Sequence, residues 1–296
     1  MLKPAKKEGR KVVFVNPMDC LINYIMPNRN GATNNFTCEL DITETEEYIA
    51  AKKAEGIKGF GFLHVTLAAY TRMISQRPGI NRYIRGQKVY ARNDIQYSLV
   101  VKKELKLDAP ETCINLVTHP GATAYDIYND INELIEENRK ASTTNGMDKV
   151  CKVLAFIPGV FLKFTVWFLK LLDYFNLLPR FLTILSPFHV SMFITSMQSL
   201  GIPPIYHHLY DFGNCPVFIS IGMPYTKLET QADGSVVRKR FMDMKVVCDE
   251  RICDGHYYAS ALKLLRRYIE HPACLDTPPA EINEDPRILK KKKKHS

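Results

Sequence analysis

The chain has 296 residues, 24% charged and 46% hydrophobic, with a formal net charge of +9: globular proportions with a basic bias, enough for a real core in one large domain or two small ones. Eight cysteines lie scattered without C-x-x-C spacing, which argues against zinc and for free thiols. Much of the positive charge sits at the ends, in Lys290 to Lys294 and in Lys3, Lys6, Lys7, Arg10 and Lys11; such runs are usually solvated, and no aromatic-interleaved basic patch supports a nucleic-acid partner.

Lys11 to Val15 is a short β-branched start, and Asn16 to Arg29, with Pro17 and Pro27, reads as a link or short helix. Phe36 to Ile42 alternates as a strand. Thr43 with Glu46 fits a capping box and predicts a helix to about Lys53. Leu63, Leu67, Tyr70 and Ile74 fall at helical spacing, so Gly61 to Gln76 is a predicted core helix that stops before Pro78-Gly79. Asn81 to Tyr90 reads as strand and turn, Ile95 to Val101 as a strand buried on both faces, and Cys113 to Thr118 as another. Thr123 to Arg139 is a helix with an acidic outer face, followed by a loop over Ala141 to Asp148.

Val153 to Leu172 is the most apolar stretch, with Pro158-Gly159 early and Lys163 and Lys170 on nearly one face. Its length would suit a bilayer span, but the Pro-Gly pair and the lysines argue against one. Two readings stay open: a helix packed in the core or at a subunit contact, and an interfacial helix touching a membrane surface with Trp167 and the Phe residues buried and the lysines at the headgroups. Phe175 to Leu185 prolongs the apolar character. Further on, Ile205 to Gly213 concentrates polar aromatic groups; as an extended strand it would send His207 and His208 to opposite faces.

Arg238 to Val247 reads as a strand, with Met242, Met244 and Val246 alternating with Asp243 and Lys245. Cys248-Asp249-Glu250-Arg251-Ile252-Cys253-Asp254-Gly255 then leads into a helical run from His256 to Glu270. A strand-to-helix turn of this kind exposes side chains and backbone N–H groups.

The pattern Asp-x-Arg-x-x-Asp-Gly at that turn resembles the signature of the acyltransferase core of 2-oxo acid dehydrogenase complexes, and the corresponding turn of chloramphenicol acetyltransferase. The signature of both is H-x-x-x-D-G, whose His is the base; here Asp254-Gly255 stand and the His position holds Glu250. Ser191 to Gln198 resembles the family's T-F-T-I-S-N-L-G strand, which places Thr195 where a hydroxyl stabilises the oxyanion. With the His replaced, Glu250, His207, His208 and His256 are the candidate bases. The resemblance gives Asp254 a structural role, paired to an arginine such as Arg29. Gly255 would sit where the backbone turns sharply; the alternative to Glu250 as base is an ordinary surface glutamate salt-bridged to Arg251.

The resemblance covers roughly Lys11 to Pro272. It implies an α/β, chloramphenicol acetyltransferase-like two-layer sandwich, a mixed sheet with helices packed on it, with an extra apolar helical segment. We expect one domain over 1–296, with its core over 11–272 and a basic tail over 273–296. The resemblance implies a homotrimer that takes acyl-CoA, a coenzyme A thioester, and a small acceptor. No lipoyl-lysine hairpin stands in this chain, and no P-loop, dinucleotide fingerprint or G-x-S-x-G appears. The alternative is a lapsed acyltransferase that binds or scaffolds. No apolar leader with an A-x-A-like site follows Met1, so the expectation is cytoplasmic, with peripheral membrane contact through Val153 to Leu172.

Overall fold

The structure, a computed structural model, describes residues 2–13, 17–102, 111–140 and 152–288. In chain order they form β1 (Gly9–Lys11), α1 (Pro17–Ile25), β2 (Thr33–Asp41), α2 (Thr43–Ala54), α3 (Phe62–Gln76), β3 (Arg82–Arg85), β4 (Lys88–Arg92) and β5 (Ile95–Lys102). Next come β6 (Glu111–Thr118), α4 (Ala124–Lys140), α5 (Gly159–Tyr174), α6 (Arg180–Leu185), β7 (Met192–Ser196), β8 (Val217–Thr230), β9 (Val236–Asp249) and α7 (Gly255–Glu270). The loop expected over Ala141 to Asp148 lies outside the described residues.

Six strands make one mixed sheet in the order β2-β9-β8-β7-β5-β6, with β7 parallel to both β5 and β8 and the other pairs antiparallel. The small sheet β1-β4-β3 lies apart from it. Strand alternation sorts the large sheet's side chains into two faces. Met192, Ile194, Ile219, Ile221, Met244 and Val246 join the main core with residues of α3, α4 and α7. Their neighbours Phe193, Phe218 and Val247 point the other way and pack with Leu209 and Cys215 of the loop between β7 and β8. This is the expected two-layer α/β arrangement. The predicted core helix is α3, in which every residue but Leu63 and Gln76 is buried.

Four local expectations are corrected. Thr43 does not cap α2: it is the first helical residue, its hydroxyl donates to Asp41 Oδ1 at 2.7 Å, and Glu46 turns to Arg240 instead. The stretch Ile205 to Gly213 forms no strand. Residues from 273, expected as the start of a tail, are tied to the body as far as Ile288: Asp285 forms a buried ion pair with Arg82 at 2.6 Å, and Ile288 bridges Val12. The core-packing reading of the apolar segment is overturned, because most of α5 is exposed.

The end of α5 is nevertheless firmly attached. Its Asp173 is buried, 3.1 Å from Arg85 Nε and 3.3 Å from His189 Nε2, and Arg85 in turn meets Glu8 at 2.8 Å. Gly86, at φ +56°, passes so close to the Tyr174 carbonyl that a Cβ would lie 2.5 Å from its oxygen, so both conformation and space require glycine there.

Candidate active site

The long strand β9 ends at Asp249, which is fully buried and accepts two hydrogen bonds from the guanidinium of its near neighbour Arg251, Nε to Oδ1 at 2.8 Å and Nη2 to Oδ2 at 2.7 Å, and a third from the Arg251 backbone N at 3.2 Å. Arg29 Nε stands 3.5 Å from the same carboxylate. Two guanidiniums thus share one carboxylate away from water, and carbonyls take other N–H groups of both, while Arg29 Nε has the ion pair but no hydrogen bond. Arg251 donates to Met26 at 2.9 Å, while Arg29 donates to Tyr210 at 2.5 Å and Gly213 at 2.9 Å. Burial pulls the Arg29 pKa down, Asp249 opposes that, and the second positive charge of Arg251 adds to it.

This clamp pins the segments 26–29 and 210–213 to the turn and leaves little freedom for residues 250–254. Glu250 N donates to Ala32 O at 2.8 Å, Ile252 O accepts from Arg82 at 3.2 Å, and Ile252 and Cys253 point inward. Asp254 points outward and caps α7 by accepting from Tyr257 N at 2.8 Å. The expected arginine pair therefore exists, but with Asp249 in place of Asp254. Arg251 is likewise committed to Asp249 and does not pair with Glu250. Gly255 has no left-handed backbone and a Cβ there would meet nothing within 4 Å, so the sharp-turn argument for glycine fails.

Glu250 faces a cleft of about 230 Å³ that is also bordered by Asp19, Asn34, Cys253 and Arg287. Its carboxylate makes no hydrogen bond or ion pair among the described residues, while Arg287 is 3.5 Å from Asp19. Burial drives the Cys253 thiol pKa up, so a neutral thiol lines the cleft.

Thr195 lies elsewhere. It sits half-buried on β7 and pairs with Ser220 of β8, which pairs with Lys245 of β9, which pairs with Thr37 of β2. These four share the face away from the helices. Segment 205–206 covers part of the row: Ile205 N donates to Ser220 Oγ at 3.2 Å, and the Tyr206 ring lies under Lys245 with its hydroxyl 2.6 Å from Thr37. Two strand spacings across the sheet are about 10 Å, and the five residues from Lys245 to Glu250 add about 16 Å along it. Thr195 and Glu250 of one chain are thus about 19 Å apart.

The histidines divide in the same way. His207 and His208 are not on opposite faces of a strand; their rings stack, with centroids 4.4 Å apart, and His207 also stacks on Phe218 at 4.1 Å. His207 Nδ1 lies 2.8 Å from the His208 carbonyl, which can only accept, so Nδ1 carries the proton and Nε2 holds the free lone pair. Burial lowers the His207 pKa and favours this neutral form. His208 is exposed, and His256 is exposed in the first turn of α7. The structure gathers Glu250, Arg251, Asp254 and Gly255 at the turn and sets Thr195, His207 and His208 on the far sheet face. Sequence reasoning missed the buried Asp249 and the Ser220–Lys245 row. Among the described residues no three His, Cys, Asp or Glu side chains gather as a metal site.

No family model and no curated protein matches the chain. Solved structures do. A probable dihydrolipoamide acetyltransferase from Listeria monocytogenes superposes with a TM-score of 0.57 at 14% identity, covering 88% of this chain and 95% of that one. The chain has the chloramphenicol acetyltransferase-like fold. Dihydrolipoamide acetyltransferase of Azotobacter vinelandii matches at a TM-score of 0.56 and 12% identity over 92% and 94% of the two chains. A chloramphenicol acetyltransferase matches at 0.51 and 13% over 88% and 98%. At such identities the likeness establishes this acyltransferase fold and leaves the chemistry to the residues.

Proposed function

We propose that the chain is an acyltransferase that takes a coenzyme A thioester as donor and passes the acyl group to a small acceptor, with Glu250 as base and Thr195 as the hydroxyl that receives the oxyanion. The observation that carries this reading is the Glu250 carboxylate, unpartnered and open to a cleft while the arginines beside it are bound to other carboxylates. In the reaction the acceptor's S, O or N attacks the thioester carbonyl as its proton passes to Glu250. The Thr195 hydroxyl donates to the tetrahedral oxygen, and collapse expels the coenzyme A thiolate, which takes the proton.

About 19 Å is too far for two groups acting on one carbonyl. The reading therefore requires Glu250 of one protomer to meet Thr195 of another, which agrees with the homotrimer that the resemblance implies. One observation favours a second reading, a binding protein on the same frame. None of His207, His208 and His256 borders the Glu250 cleft, and carboxylates as a class are poorly matched as bases to thiols.

The test is release of free thiol from acetyl-CoA and longer acyl-CoAs with amine, hydroxyl and thiol acceptors, using the purified chain beside Glu250→Gln, Thr195→Val and His207→Ala. We expect turnover to vanish in Glu250→Gln and kcat to fall by about 10²–10³ in Thr195→Val. Turnover retained in Glu250→Gln and lost in His207→Ala would transfer the base to His207. No turnover in any sample, with a melting temperature still raised by acyl-CoA, would establish the binding protein.

A further inference from the structure

Helix α5 touches the body along one narrow stripe. Leu162, Thr165, Leu169 and Leu172, at helical spacing, are half-buried, and Asp173 is buried. The opposite side, which in a surface helix is polar, is apolar here: Val160, Phe161, Phe164, Trp167, Phe168 and Leu171 are all exposed, Phe164 at 63% and Trp167 at 54%. Phe175, Leu177 and Phe181 extend the surface through the next turn and α6. An apolar patch of this extent marks a binding surface.

The charges say what it binds. The only ionic groups of α5 are Lys163, Lys170 and Asp173. Asp173 is turned inward to Arg85 and His189, whereas both lysines are exposed, seven residues apart on one flank of the apolar face, and have no ion-pair partner among the described residues. Where the helix ends, Lys6 and Lys7 border one pocket together with Arg180, whose guanidinium lies 3.8 Å from the buried Glu8. The surface is therefore aromatic and apolar at its centre and cationic at its edge, with its single acid withdrawn. A two-fold contact with a second copy would face these lysines with like charge and offer no carboxylate from the helix. No helix among the described residues is long and apolar enough to cross a membrane.

The geometry points to an anionic lipid surface as the occupant: α5 and α6 lie in the plane of the interface, with Phe164, Trp167 and Phe168 among the acyl chains and Lys163 and Lys170 at the headgroups. The anchoring of Asp173 and the close pass of Gly86 under Tyr174 hold the helix in position before any lipid is met. This inference does not depend on whether the chain is catalytic.

Trp167 is the chain's single tryptophan, so its emission reports on this face alone. The full chain is mixed with vesicles of phosphatidylcholine, or of phosphatidylcholine with phosphatidylglycerol, and followed by emission and co-sedimentation. We expect a blue shift and co-sedimentation with the anionic vesicles, reversed by salt. Binding should be weakened about tenfold or more in Phe164→Ser and lost in Lys163→Glu/Lys170→Glu, with circular dichroism and sedimentation mass unchanged in both. Equal binding to neutral vesicles, or none to either, would overturn the inference. So would a Phe164→Ser chain of smaller sedimentation mass, which would make the face a contact between copies.

Discussion

The turn after β9 and the helix α5 use charge and apolar surface in opposite ways. At the turn, Asp249, Arg29 and Arg251 are buried together, and each is held by several partners at once. One carboxylate, Glu250, is left outside that network. On α5 the apolar side chains stand in solvent, and one buried acid is the anchor. Buried paired charge is costly to rearrange and so determines geometry tightly; exposed apolar surface leaves stability to be gained when something covers it. The first arrangement suits a group that must be aimed, the second a surface that must be met.

The largest expected effect breaks the first half of this contrast. Asp249→Asn leaves two buried guanidiniums without their carboxylate and should cost about 3–5 kcal/mol in chemical denaturation. A loss under about 1 kcal/mol would show that the carbonyls alone hold the turn.

Next comes acid. At Glu8 burial works to raise the pKa, but Arg92 and Arg85 outweigh it and bring it down to about 2 from 4.5. The folded value is depressed, so its contribution is fully present above pH 4.5 and is lost as the pH falls toward 2. The gap corresponds to about 3 kcal/mol. Unfolding measured against pH should steepen in that window and flatten in Glu8→Gln. Because this network also holds Asp173, vesicle binding should weaken along with it.

A smaller effect is expected at Asp254. Its role here is to cap α7, so Asp254→Ala should cost about 1 kcal/mol. A cost several times larger would restore the arginine pairing that the sequence implied. The smallest is at Phe164: Phe164→Ser should change stability in solution by no more than about 0.5 kcal/mol, since the ring leaves little contact behind. A larger loss in denaturation would mean that the face is already covered.

Much of the fold was legible because periodicity survives in single segments. Leu63, Leu67, Tyr70 and Ile74 announced α3, and Met242, Met244 and Val246 announced β9. The central strand β8 was not anticipated, although Val217-Phe218-Ile219-Ser220-Ile221 is β-branched and aromatic. Asp233-Gly234 closes its hairpin with β9, with Gly234 at φ +83°. The histidine pair was misjudged because an aromatic-rich run resembles a strand, while Pro203, Pro204 and Gly213 around it favour irregular backbone. Of the candidate site, the turn and the glutamate in the histidine's place were visible, but not that Glu250 lacks a partner, because Arg251 looked available until Asp249 claimed it. The partner of Arg29 was not, because Asp249 and Asp254 look alike until one is buried and the other exposed.

Neighbouring residues were enough to define the alternation that splits the sheet into two faces, the strand-to-helix turn with glutamate where the related signature has histidine, and an apolar segment carrying two lysines on one side. Local geometry converts such patterns directly into structure. Long-range packing was needed to give Asp249 both arginines, to set Thr195 and Glu250 of one chain about 19 Å apart, and to turn the aromatic face of α5 outward. Each of these depends on which distant segments meet, and burial and pairing across the chain settle that in ways no local pattern contains.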